Sequence, residues 1–150
     1  MKKVAIVLAT VLTIAVQVHA QEIEGRDVPV NAKNSFVKKY SGKNARWEKE
    51  GDKYEATFKK GGKEISILID AEGNIVETET EISKKDLPPA ILATLMKDYT
   101  GYEIEEAAQI DANAATTYEV EVEVGEETFD LIFNTKGKLL KKKLYPKQEG

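Results

Sequence analysis

Two stretches of this chain alternate apolar and polar residues with a period of two, and each follows a short stripe at helical spacing. In the first, Tyr54, Ala56 and Phe58 alternate with Glu55, Thr57 and Lys59, and Gly61-Gly62 turns the chain. Ile65, Ile67 and Ile69 then alternate with Ser66 and Leu68, residues 70–74 make a turn, and residues 75–82 continue as a strand. In the second, Tyr118, Val120, Val122 and Val124 lead to a turn at Gly125. Phe129, Leu131 and Phe133 lead to a turn over residues 134–137, and residues 139–145 close the series. This period, broken by glycine turns, predicts an antiparallel meander with one apolar and one polar face. A further strand is expected ahead of each series, through residues 45–47 and 102–110. The helical stripes are Val30, Phe36, Val37 and Tyr40, then Ile91, Leu92, Leu95, Met96 and Tyr99. Pro29 and Pro88 suit a first helical turn, where a missing N–H has no partner to lose. Ser41-Gly42 and Thr100-Gly101 stop both helices in equivalent places.

The two stretches are copies. Asp27-Val28-Pro29 returns as Asp86-Leu87-Pro88, and Phe36, Val37 and Tyr40 return as Leu95, Met96 and Tyr99, at a spacing of 59. From Tyr54 and Tyr118 through Gly73 and Gly137 the spacing is 64, so five residues are inserted between the first two strands of the later copy. Small tandem copies stack to bury what neither buries alone. The expected fold is α+β: two tandem repeats, residues 27–82 and 86–145, each a helix packed on a four-stranded antiparallel sheet, together one compact domain. The polar sheet face has no second layer in the sequence to cover it.

Residues 1–20 have the form of a secretory signal. Lys2 and Lys3 precede an apolar run over residues 4–18, and Val18-His19-Ala20 offers small residues where a signal peptidase reads. The run is short for a membrane span of about 20 residues, so no stable anchor is expected, and the mature chain begins at Gln21, periplasmic or secreted. Export removes His19, the single histidine, from a chain without cysteine. That excludes Ser-His-Asp and Cys-His catalysis and zinc sites built on histidine or cysteine. With no disulfide, about 130 residues must be held by their core, which a domain of this size can supply. Losing Lys2 and Lys3 leaves 20 Lys+Arg against 26 Asp+Glu, a charge of −6. Such an acidic surface does not suit nucleic acid; Lys141-Lys142-Lys143 reads as a solvated strand end.

The order of Pro29, Phe36, Tyr40, Trp47, Tyr54, Glu55, Phe58, Asp70 and Gly73, with Pro88, Tyr99, Tyr118 and Gly137 in the second copy, resembles the PepSY-like domains. These are secreted, β-lactamase-inhibitor-like proteins of Gram-negative bacteria. The resemblance implies a fold like the tandem α+β repeats of β-lactamase inhibitory protein, with both sheets forming a concave surface. It also implies inhibitory roles outside the cytoplasm. The chain lacks that inhibitor's cysteines and many of its aromatic anchors, so the inhibitor's target does not carry over.

Candidate binding residues are Trp47, Glu55, Leu68, Glu119, Glu121, Glu123 and Ile132. Trp47 is the single tryptophan, and at a spacing of 59 it meets Glu106, although an indole beside a two-layer core is ordinarily packing. Glu119, Glu121 and Glu123 share one strand face, as do Glu77, Glu79 and Glu81; on an open sheet they read as a solvated face rather than a catalytic pair. Asp70, Glu72 and Asn74 lack the spacing of a calcium loop and read as a hairpin turn. No catalytic residue, metal or cofactor is expected. The function expected is a non-enzymatic protein-binding or inhibitory module with a partner in the cell envelope. The alternative is a periplasmic small-molecule binder or sensor.

Overall fold

The structure, a computed structural model, describes residues 21–145. The expected signal segment lies outside the described residues. Nine strands and two helices run in the order β1 (Gln21–Ile23), α1 (Val30–Lys39), β2 (Arg46–Glu50), β3 (Lys53–Lys60), β4 (Lys63–Ile69), β5 (Ile75–Glu81), α2 (Pro89–Asp98), β6 (Glu103–Ala112), β7 (Ala115–Val124), β8 (Glu127–Asn134) and β9 (Leu139–Tyr145). The strands form one antiparallel sheet in sequence order.

The expectation of two four-stranded sheets is corrected on two counts. Strand β5 pairs with β6, from Glu77↔Ala112 to Glu81↔Ala108, which fuses the copies into a continuous surface. Gln21–Ile23 then pairs with β2 as an additional edge strand. Three residues are too few to show a period, so β1 left no signal in the sequence. The five inserted residues lengthen one hairpin: β6 and β7 have ten residues each, against five in β2 and eight in β3. Asn113 and Ala114, both at positive φ, turn its tip.

Both helices cover the same face. Each ends at a tyrosine whose N–H reaches back four residues, Tyr40 to Phe36 and Tyr99 to Leu95, before a glycine at positive φ. Pro29 and Pro88 stand just ahead of the helices as their N-caps, and Pro89 takes the first helical position. The buried rows are Ala32 and Phe36 in α1 and Ile91 and Leu95 in α2. Val30, Val37 and Met96, expected within the stripes, are 63%, 57% and 72% exposed. A ten-residue helix on a flat sheet buries only every fourth residue, and those three fall outside that row.

The packing forms two separate cores. Val28, Ala32 and Phe36 pack on Trp47, Ala56, Phe58, Ile65, Ile67 and Ile69. Leu87, Ile91 and Leu95 pack on Ile104, Ala107, Val120, Val122, Phe129, Leu131 and Phe133. Each fully buried aliphatic or aromatic side chain contributes about 1.5–3 kcal/mol by leaving water. The copies also share a polar tie. Ser35 Oγ donates to the Gly73 carbonyl at 2.6 Å, and Thr94 Oγ1 donates to the Gly137 carbonyl at 2.8 Å. Each pins a hairpin turn to its helix. Ser35→Ala and Thr94→Val are each expected to cost about 1 kcal/mol, measured as a lower midpoint in urea at unchanged slope.

Candidate functional site

The face opposite the helices is laid out by strand register. One row crosses it as Glu55, Leu68 and Glu77, and the next as Thr57, Ser66, Glu79, Ile110 and Thr117. A third runs Glu64, Glu81, Ala108, Glu119, Ile132 and Lys141, and a fourth Glu106, Glu121, Asp130 and Lys143. Because strand side chains alternate, the rows that fill the core on one face fix this polar set on the other.

At the centre the small side chain of Ala108 leaves an open trough of about 340 Å³. Its wall carries Glu64, Glu79, Glu81, Glu106, Glu119, Glu121 and Asp130, with Lys59 the single lysine among the described residues that line it. Half-burial sets the electrostatics. Loss of hydration, followed by the charges of Glu119, Glu77, Glu55 and Glu64, pushes the Glu79 carboxyl up to about 7. Burial likewise raises Glu119, whose neighbour Asp130 adds to the effect while Lys141 and Lys143 oppose it. Glu55, Glu77 and Glu121 are raised too, burial first in each case.

A carboxyl held above its unfolded value of 4.5 binds more protons in the folded state, so its contribution falls as pH rises from there to about 7. The protein is expected to unfold at a lower denaturant concentration at pH 8 than at pH 5. Glu79→Gln should flatten that slope and raise the pH 8 midpoint, which urea titrations across this range will show.

The structure brings most of the expected residues to this face. Glu119 and Glu121 line the trough, Ile132 pairs with Glu119, and Glu55 pairs with Leu68 on the first copy's side. Glu123 pairs with Thr128 and stands exposed outside the trough. Trp47 is not among them: it lies on the helix face, 8% exposed, its ring edge-on to Phe36 at 5.5 Å. Its structural counterpart is Ala107 rather than Glu106, since Trp47 pairs with Ala56 and Ala107 with Val120. A bulge at Glu105 moves the register by one residue, which a constant spacing conceals.

Glu79, Glu81, Glu106, Asp130 and Ile110 were not among the expected binding residues. The alternation of Glu77, Glu79 and Glu81 was visible, but their meeting with Glu119 and Glu121 depends on the β5–β6 pairing. Around the β4–β5 turn, the Asn74 side-chain amide and N–H donate to Asp70, holding its carboxyl below its ordinary range. That is a hairpin turn, and Asn134 accepts backbone N–H groups at the matching turn.

Comparison with known proteins agrees with this architecture. A BLIP-like protein from Bacteroides fragilis NCTC 9343 superposes with a TM-score of 0.63 at 29% identity, over 76% of this chain and 84% of that one. A protein from Bacteroides eggerthii DSM 20697, described as one of the "putative periplasmic proteins", superposes at 0.73 with 14% identity, over 78% and 88%. A DUF2874 family protein from Bacteroides uniformis ATCC 8492 superposes at 0.71 with 17% identity, over 77% and 88%. Among curated proteins none matches. The family model described as "Putative beta-lactamase-inhibitor-like, PepSY-like" matches residues 14–77 and again 52–141. With its duplicated helix-and-meander pattern on one antiparallel sheet, this chain belongs to the PepSY-like, beta-lactamase-inhibitor-like family.

Proposed function

We propose that the protein is an exported, non-enzymatic protein-binding or inhibitory module that works through the open face of its sheet. The observation that carries this reading is the face itself. Both helices lie on the other side, and the uncovered side pairs an acidic trough with half-buried Leu68, Ile110 and Ile132. The apolar points can make contact with a partner, and the carboxylates supply a charge that a cationic partner complements. The contact residues are Glu55, Leu68, Glu79, Glu119, Glu121, Glu123 and Ile132. The acidic wall favours an envelope protein that presents lysine or arginine, and like charge disfavours nucleic acid. The B. fragilis relative's description as BLIP-like is in keeping with an inhibitory role.

Export rests on the signal-like residues 1–20. Among the described residues no helix is long and apolar enough to cross a membrane. A small-molecule site is less favoured, because such pockets are mostly apolar and this wall is mostly carboxylate. The test is capture from an envelope extract by residues 21–150. The native bait should retain a specific protein that the Glu119→Lys, Glu121→Lys, Glu123→Lys bait loses. Equal retention by both baits would move the site elsewhere.

A further inference from the structure

The sheet is continuous, but packing on its helix side is thin across its middle: Ile75 of β5 packs on the α1 core, Ile82 packs on the α2 core, and no fully buried side chain spans the two. The α1 core takes its strand residues from β2, β3 and β4, and the α2 core from β6, β7 and β8, with no buried residue common to both. Between them β5 and β6 present Thr78, Thr80, Gln109 and Asp111 on the helix side, where the cores would otherwise meet. Asp111 is engaged locally, accepting from Gln109 Nε2 at 2.9 Å and from Thr116 Oγ1. The halves are joined by the five-pair ladder from Glu77↔Ala112 to Glu81↔Ala108, by the Ile82 N–H, which donates to the Ala107 carbonyl at 2.9 Å, by the Ile82 side chain on the α2 core, and by the exposed ion pair of Lys63 with Asp86 at 3.7 Å. A strand pair with few buried apolar contacts across it opens and bends more readily than the packed parts of a sheet.

The opposite side of the same seam holds the trough. Glu64, Glu79 and Glu81 approach it from the first half; Glu106, Glu119, Glu121 and Asp130 approach from the second. Their mutual repulsion acts across the seam, where Thr78, Thr80, Gln109 and Asp111 stand in place of buried core residues. We propose that the β5–β6 seam is a hinge whose angle is set by the charge of these carboxylates. Deprotonated, they hold the trough open; neutralised, by protons or by a cationic partner, they let the two halves close over it.

The groups that set this charge are on every strand around Glu79. Glu77 and Glu81 flank it on β5; Glu55 and Lys59 face it from β3, and Glu64 from β4. Glu106 faces it from β6, Glu119 and Glu121 from β7, Asp130 from β8, and Lys141 and Lys143 from β9. The lysines lie at the margins, so the centre keeps its excess of negative charge. Glu79, held at about 7, changes charge between mildly acidic and mildly alkaline pH, and burial raises its neighbours Glu119 and Glu121 in the same direction. The inference does not depend on the binding reading, since it concerns the free protein.

The absence of cysteine makes the motion directly measurable. Asn34 and Ala93 are exposed, repeat-equivalent positions on α1 and α2, and Asn34→Cys with Ala93→Cys accepts one spin label on each helix. With helices about 10 Å above the sheet, a bend of about 15° changes their separation by about 3 Å. Closing the trough splays the helices, so the mean label distance should be about 3 Å longer at pH 5 than at pH 8. Adding Glu79→Gln and Glu119→Gln should hold the longer distance at both. A distance unchanged by pH in the labelled native background would overturn the hinge. An undiminished pH shift in the glutamine variant would overturn its assignment to these carboxylates.

Discussion

Gly137→Ala is expected to lower the stability of this protein by about 3–4 kcal/mol, more than any other single methyl addition at its turns. Gly137 has φ 75, where an L side chain costs about 1–2 kcal/mol. Its turn is also pressed against α2, so an added Cβ falls inside the carbonyl of Ala90 and against that residue's own Cβ. Overpacking against a rigid helix backbone costs a further 1–3 kcal/mol or so. The tie from Thr94 Oγ1 to the Gly137 carbonyl is strained by the same displacement. Gly73, its counterpart, would bring a Cβ within 2.8 Å of the Asn31 carbonyl and 2.9 Å of Ser35 Oγ, so Gly73→Ala should cost slightly less. Gly125→Ala, at φ 65 in open space, should cost only the backbone component. Denaturant unfolding of the three variants should rank them in that order. Equal losses would mean that the turns are not docked on the helices.

Trp47→Ala is the second large effect, about 3–4 kcal/mol, and it separates packing from binding. The indole meets Phe36 edge-on, and Phe36 meets Phe58 at 5.4 Å in the same way. Its removal empties the end of the α1 core, where Ala32 stands in place of the larger Ile91 of the second copy. Trp47→Phe should recover about half of the loss by refilling part of that volume. Because Trp47 is on the helix face, Trp47→Phe should leave capture of the partner unchanged. Lost capture by a folded Trp47→Phe protein would return this residue to the binding surface.

The sequence made the strands and helices readable because glycine turns cut a strict period of two and each copy checked the other. The polar face was readable for the same reason: Glu55, Glu119 and Glu121 occupy the off-phase positions of strands whose in-phase residues are Ala56, Val120 and Val122. Besides the three-residue β1, three things were not readable, and each is a matter of pairing or hydrogen bonding rather than of composition. The fusion of β5 to β6 depends on hydrogen bonds between copies, and the residues that make it, Glu77 to Glu81 and Ala108 to Ala112, look like ordinary solvated strand. The bulge at Glu105 leaves the sequence period broken at one residue, enough to set Trp47 opposite Glu106 instead of Ala107. The Ser35 and Thr94 ties were hidden because a helical hydroxyl carries no period. The trough inherits the first of these, since its two walls meet only when the copies share one sheet.

The proposed function requires that the open face, and not the helix face or an edge, receive the partner. Its most direct test is the affinity of the captured envelope protein for three purified forms of residues 21–150. These are the native chain, the Glu119→Lys, Glu121→Lys, Glu123→Lys form, and a helix-face control carrying Lys38→Glu and Lys39→Glu. Relief of like-charge crowding should leave the first variant at least as stable as the native chain, so lost binding would not reflect unfolding. The expected result is a Kd weakened on the order of 100-fold by the open-face reversals and changed less than about threefold by the control. Equal affinities for the native and open-face forms, or a larger loss in the helix-face control, would contradict the account.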